Sequence, residues 1–227
     1  REYFGRILEE KVLGKSTLAE EDATHPLNRY VAGLPGGVLA KALGLGGGSV
    51  TLDAACSSSL YAVKLAVDEL QSGRADAMLA GGLSRPDCLY TQMGFSQLRA
   101  LSPTGTCSPF DAQGNGLVVG EGCGLFLLKR LDDAERDGDT IHAVIRGIGL
   151  SNDIGGSLLA PMSDGQLRAM LDAYAQAGLS PQDMDHIECH ATGTLLGDST
   201  EVSSLKTLWG DDFDAGQCVL GSVKSNI

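Results

Sequence analysis

Asp53-Ala54-Ala55-Cys56-Ser57-Ser58-Ser59 sets one cysteine between two patterns of different period. Ahead of it, Ser49-Val50-Thr51-Leu52 reads as a short strand. Behind it, Leu60, Val63, Leu65, Val67 and Leu70 supply a helical apolar stripe that Gly73 stops. Cys56 is therefore expected at a helix N-terminus. Unpaired backbone N–H groups and the positive end of the helix dipole favour thiolate over thiol at such a place, and the same N–H groups suit an oxygen that gains negative charge on a bound acyl group. Cys56 is the candidate nucleophile, although a free cysteine in this context also suits a small buried hydrophobe.

Working outward, helix and strand patterns alternate. A helix is expected over residues 37–43, and the strand before Cys56, its helix and a buried strand over residues 76–82 read as a β-α-β unit. Residues 88–116 are rich in Ser, Pro, Thr and Gly and read as a partly helical functional loop covering an active-site face. Strands are expected over residues 124–129 and 141–146, separated by a polar helix-prone stretch over 131–136. Ser163-Asp164-Gly165-Gln166 has the form of a capping box, followed by Leu167, Met170, Leu171 and Tyr174 at helical spacing as a core stripe until Gly178. Residues 185–188 form a strand leading to His190. Asp198 opens a further helix with Val202, Leu205 and Trp209 facing inward, and residues 217–220 supply one more strand. No internal repeat, low-complexity tract or linker interrupts the chain, which favours a single α/β domain.

Composition narrows the function. With 17 Lys and Arg against 29 Asp and Glu, the net charge of −12 disfavours a nucleic-acid partner. No apolar run has the length of a membrane span, and Arg1-Glu2-Tyr3-Phe4 lacks a signal-peptide layout, so the expected location is the cytoplasm. The six cysteines are irregularly spaced without a C-x-x-C pair, so reduced thiols are expected. His186-Ile187-Glu188 mimics the H-x-E half of a zinc deaminase site, but its P-C-x-x-C partner is missing, and no metal is expected. Cys189 reads as a packed neighbour. Gly44-Leu45-Gly46-Gly47-Gly48 precedes its strand instead of following one, which suits a tight turn and not a phosphate loop. No G-x-S-x-G elbow of a serine hydrolase occurs.

Three further blocks accompany the cysteine block in order: Pro109-Phe110-Asp111 through Gly120-Glu121-Gly122, Glu188-Cys189-His190-Ala191-Thr192-Gly193-Thr194, and Gly221-Ser222-Val223-Lys224-Ser225-Asn226-Ile227. Together they resemble the β-ketoacyl synthases, over most of the chain from about Asn28 onward. The wording of Glu188 to Thr194 and of Ser84-Arg85-Pro86-Asp87-Cys88-Leu89-Tyr90 leans towards multidomain polyketide or polyunsaturated fatty acid synthases.

The resemblance implies the thiolase-like layered α-β-α-β-α fold, incomplete at both ends. Residues 1–227 would form one partial domain, running from the end of its N-terminal half to the start of its C-terminal half. The family pattern continues with Gly-His beyond Ile227, so its second catalytic histidine is not in this sequence, and the isolated segment is expected to be inactive. The implied chemistry is decarboxylative Claisen condensation of an acyl thioester with a malonyl thioester. Cys56 would carry the acyl group, His190 would stabilise the malonyl enolate, and Lys224 would supply a fixed positive charge. Thr192 and Thr194 match hydroxyls that contact the pantetheine arm, though capping a turn would explain them equally. Asp198 and Glu201 match acids behind the active residues, for which helix capping is a sufficient explanation. Phe95 matches a candidate acyl-pocket or dimer-contact residue, with buried packing as the plainer account. The implied partners are an acyl carrier protein and a second copy in a homodimer; an acidic carrier could be met by a local basic patch such as one including Arg74, Arg85 or Arg99, or by residues outside this stretch. No cofactor beyond the carrier's phosphopantetheine is implied.

Ala54 and Ala191 depart from the family's threonine and glycine, both to small residues. Two rivals remain open. One is a noncatalytic partner protein with the condensing fold, against which the retained Cys56 speaks. The other is a thiolase-like coenzyme A-dependent enzyme, against which the Gly-Ser-x-Lys-Ser-Asn block speaks.

Overall fold

The computed structural model describes residues 34–85, 89–156, 160–210 and 216–227, in two units that divide in the sequence between Ala54 and Ala55. Cys88 and the Arg1 start lie outside the described residues.

In the first unit, α1 spans Leu34–Ala42. It starts three residues earlier than the pattern predicts because Pro35 is tolerated in a first turn, where its missing N–H has no helical partner. Gly44, at φ 67°, ends the helix, with Gly44 N donating to Lys41 O and Leu45 N to Ala40 O. The expected strand over residues 49–52 does not form. Thr51 Oγ1 instead accepts from Gly36 N (3.2 Å), so this segment crosses the first turn of α1.

The second unit opens with a 3-10 turn over Ala55–Ser57 that feeds α2, Ser58–Gln71. Ala66 and Leu70 are its buried residues, and Gly73 at φ 70° closes it as the sequence predicts. α2 packs on β1, Met78–Ser84, most closely at Gly82, where a Cβ would lie 3.0 Å from Ser59 Cβ. β2, Gly122–Leu128, pairs with β1 antiparallel, from Met78 opposite Leu128 to Ser84 opposite Gly122. The expected β-α-β unit is thereby corrected: without a strand over 49–52, β1 takes its ladder partner from downstream. α3, Leu89–Gln97, and α4, Leu131–Asp137, flank the loop and the end of β2.

Arg130 ties these pieces together. Its guanidinium donates to Leu70 O and Ala75 O (2.7 Å each), to Asp76 Oδ1 (3.1 Å) and to Asp133 Oδ2 (2.5 Å). The end of α2, the approach to β1 and the first turn of α4 are thus held by one planar donor fork.

Residues 141–146 also form no strand. They lead into a segment that runs along α5, Ser163–Ala177, where Gln176 bonds both Ile148 N and Ile148 O and the Arg146 guanidinium donates to Ala177 O. A β-carbon at Gly147 or Gly149 would meet the α5 backbone, so this stretch lies against the helix. The predicted capping box at Ser163 is likewise absent. Met162 is the N-cap, Asp153 Oδ2 accepts its N–H (3.0 Å), and Ser163 Oγ accepts from Ser204 Oγ (2.9 Å), tying α5 to the last helix. Met170 packs on the core, while Leu171, expected there, is 55% exposed.

β3, His186–Glu188, pairs parallel with β4, Val219–Gly221, in the register His186 to Val219, Ile187 to Leu220 and Glu188 to Gly221. α6, Leu195–Trp209, packs on α5, and Cys189, Ala191 and Leu205 form the buried core between them, with Met170, Ile187 and Trp209 against it. A 3-10 turn over Val223–Asn226 follows β4. Among the described residues no helix is long and apolar enough to cross a membrane.

Candidate functional site

The parallel pairing of β3 with β4 is what makes the site. It brings the ends of the Glu188–Thr194 and Gly221–Ile227 blocks side by side, and Cys189 N donates to Gly221 O (3.0 Å) just beyond the strands. The Lys224 ammonium then reaches back to donate to Cys189 O (2.9 Å), next to His190 in the chain. This sets the Lys224 ammonium on the carbonyl that precedes His190.

His190 is an exposed residue, but the protein packed about its imidazole lowers its pKa below the ordinary 6.5. The Lys224 charge lowers it further, against the opposing pull of Glu201 and Asp198. At neutral pH the ring is therefore uncharged and can offer an N–H to a developing oxyanion.

The backbone around it is held by two carboxylates. Glu201 accepts from His190 N (2.6 Å) and Ala191 N (2.9 Å), while Asp198 accepts from Gly193 N (3.1 Å) and Phe110 N (2.7 Å). This corrects the helix-capping explanation of both acids. Thr194 is the N-cap of α6, its Oγ1 accepting from Gly197 N (3.3 Å), which frees the acids to clamp the His190 loop. Ala191 sits at φ 46°, in the left-handed region, at a cost of roughly 1–2 kcal/mol for a non-glycine residue. The Glu201 bond to its N–H helps to hold it there. Asp198→Ala is expected to destabilise the folded chain by about 1–3 kcal/mol, because two amides lose their acceptor. Denaturant unfolding of the variant beside the native chain measures this.

Thr192 Oγ1 lies 2.8 Å from Thr194 Oγ1 and 3.5 Å from Asp198 Oδ1, so both threonine hydroxyls already have partners within the turn. Gly116 N donates to Gly193 O (3.0 Å), which ties the irregular stretch after α3 to the His190 loop. Beside this junction lies a cavity of about 560 Å³, whose lining includes Phe110, Gly193, Asp198, Val202 and Lys206. Phe110, at φ 59°, matters here through its backbone amide, a role invisible in the sequence beyond its place in the Pro109 block. Phe95 is half-buried on α3 and does not line that cavity.

Cys56 is exposed in the turn before α2, directly after Ala55 at φ 50°. A non-glycine residue held in that region just before a nucleophile candidate is the kind of strain that collects at functional turns. Among the described residues no hydrogen bond or ion pair links Cys56 to His190 or Lys224. Cys189 is buried, 2% exposed, and burial with the nearby Glu201 and Glu188 charges pushes its thiol up to about 11, so it stays protonated and inert. Of the suggested basic patch, Arg74 forks onto Glu69 (2.7 and 2.9 Å), which neutralises its charge locally.

Known proteins resemble the chain in sequence and in fold. A phenolphthiocerol/phthiocerol polyketide synthase of Mycobacterium tuberculosis is 43% identical over 84% of this chain and 11% of its own length. The ketosynthase from module 6 of the bacillaene synthase of Bacillus subtilis 168 superposes with a TM-score of 0.80 at 37% identity, over 86% of this chain and 35% of that one. The PfaC keto synthase-chain length factor gives 0.84 at 48% identity, over 89% and 22%. These likenesses bear out the thiolase-like α/β fold and the lean towards polyketide synthases. The chain spans about a tenth of the length of the curated relatives it matches. The family's N-terminal-domain model matches residues 8–134 and its C-terminal-domain model residues 142–227, and the chain belongs to the β-ketoacyl synthases.

Proposed function

We propose that this chain is the central part of one ketosynthase domain that performs carrier-protein-dependent decarboxylative condensation in polyketide or fatty acid synthesis. The observation that carries the reading is the junction of β3 with β4, which sets a neutral imidazole beside an ammonium group. Large apolar residues left open, such as Phe126 at 65% and Leu127 at 74% exposure, support a domain with further layers, as does the 35% share of the bacillaene ketosynthase that the chain covers.

In this reading the Cys56 thiolate attacks the carbonyl of an acyl thioester, and the carrier thiolate leaves. A malonyl thioester then enters, and His190 hydrogen-bonds its thioester oxygen as the C–C bond to the carboxylate breaks, releasing CO₂ and leaving an enolate. The Lys224 charge keeps the imidazole neutral and adds to the positive field on that oxygen. The enolate carbon attacks the acyl-Cys56 carbonyl, the Cys56 thiolate departs, and a β-ketoacyl chain two carbons longer remains on the carrier. Thr192 and Thr194 would meet the pantetheine arm with what bonding capacity the turn leaves them, and Phe95 would line the acyl side. The partners are an acyl carrier protein and a second copy of the domain, the location is the cytoplasm, and no cofactor beyond phosphopantetheine is required.

The full-length protein given acyl carrier and labelled malonyl carrier is expected to release one CO₂ for each β-ketoacyl product, followed by gas trapping and mass spectrometry. Product formed without CO₂ loss, or thiolysis by free coenzyme A, would overturn the reading in favour of thiolase chemistry.

A further inference from the structure

His186-Ile187-Glu188, whose spacing imitates half of a metal site, carries out a different task in the fold. Glu188 Oε1 accepts from Val223 N (2.6 Å), the first amide of the turn that bears Lys224, and Glu188 Oε2 lies 3.7 Å from His186 Nε2. Both side chains lie across Gly221. A β-carbon there would meet Glu188 Oε2 and stand 2.6 Å from His186 Cε1, so a side chain at 221 would displace the carboxylate and the imidazole from the positions they hold over the glycine.

These contacts close a ring. Glu188 holds Val223, Val223 is bonded to Lys224, the Lys224 ammonium donates to Cys189 O (2.9 Å), and Cys189 follows Glu188 in the chain. The inner rung, Cys189 N to Gly221 O (3.0 Å), braces it. We propose that Glu188 is a positioning residue for Lys224, its carboxylate fixing the start of the Val223–Asn226 turn so that the ammonium is held beside His190. The inference rests on the reading of His190 and Lys224 as the decarboxylation site. A carboxylate suits the task because the first N–H groups of a helical turn lack internal partners, and a charged acceptor makes the shorter, stiffer bond. Glu188 is 38% exposed and Lys224 directly follows Val223 in a four-residue turn, so without that bond the start of the turn is free to pivot about Ser222 and carry the ammonium away.

The test uses the full-length protein and reads malonyl decarboxylation and acyl loading of Cys56 separately. Glu188→Ala is expected to lower kcat for decarboxylation about tenfold to a hundredfold, as small displacements of a reacting group do. Its KM and acyl loading should stay within about twofold of native, since the lost contact acts on the charge and not on substrate binding. Glu188→Gln keeps an oxygen acceptor for Val223 N and is expected to recover the rate to within about threefold. In a Lys224→Ala background, Glu188→Ala should cost less than about twofold more, because the group it positions is gone. Val223→Pro deletes the same bond from the donor side at a position where proline is tolerated, and reproduces the Glu188→Ala loss even if that variant fails to fold. The proposal is overturned by a full Glu188→Ala loss in the Lys224→Ala background, by Gln as damaging as Ala, by loading that falls in step, or by a native rate in Val223→Pro. A native rate in Lys224→Ala alone would instead sink the reading of the site on which the proposal stands.

Discussion

Cys56→Ala in the full-length protein is expected to leave no covalent acyl enzyme and to lower condensation by at least about 10⁴-fold, since the attacking sulfur is removed. Intact-protein mass spectrometry after incubation with acyl carrier reads the adduct directly. Native protein should gain the acyl mass and the variant should not. The expectation draws on two features of the fold. Cys56 is exposed at the head of α2 behind a left-handed Ala55, in a turn whose N-cap Ser57 makes no side-chain capping bond. Cys189, the cysteine nearest His190 in the chain, is buried and held protonated, with its thiol pushed up to about 11, and cannot substitute. An acyl adduct retained at full yield in Cys56→Ala would remove the nucleophile from the mechanism.

His190→Ala is the second large effect, and it separates the two half-reactions. Acyl loading should persist, while decarboxylation of the malonyl carrier falls by about 10²–10³, the usual cost of losing one preorganised oxyanion donor. The pH profile tests the same assignment. The active form is the neutral imidazole, and burial with the Lys224 charge lowers its pKa, so the decarboxylation rate should hold as pH falls through the ordinary histidine value of about 6.5 and decline only below it. Lys224→Ala removes a charge that disfavours protonation, so the residual activity should lose its acid limb at a higher pH than native. A limb that moves to lower pH, or loading that fails together with decarboxylation in His190→Ala, would contradict the assignment.

The family's motif blocks could be read from the sequence. The Cys56, His190 and Lys224 blocks declared themselves through residue types and order, and the helices after Cys56, before Gly178 and before Trp209 followed from apolar spacing and glycine stops. These features are local, so neighbouring residues decide them. Strand pairing is not local. Residues 49–52 and 141–146 carry strand-like side chains yet form no ladder, because a strand exists only when a partner edge is within hydrogen-bonding reach, and here Thr51 bonds the first turn of α1 while the Arg146 side chain reaches Ala177 O at the end of α5. The roles of the acids escaped the sequence for the same reason. The sequence places the helix start at Asp198, but α6 begins at Leu195 with Thr194 as its cap, and the amides of Phe110, His190, Ala191 and Gly193 take the oxygens of Asp198 and Glu201.

The sequence alone determined the family, the candidate nucleophile and the order of the catalytic blocks, since these depend on which side chains are present and how they are spaced. Only the tertiary structure decided that β3 and β4 run side by side, that the Lys224 ammonium bonds the carbonyl before His190, and that Glu188 closes the ring behind them. Residues 188 and 223 are distant along the chain, and a hydrogen bond between them has no period or composition to announce it; it exists because two strands pair in one register and glycine at 221 leaves the room.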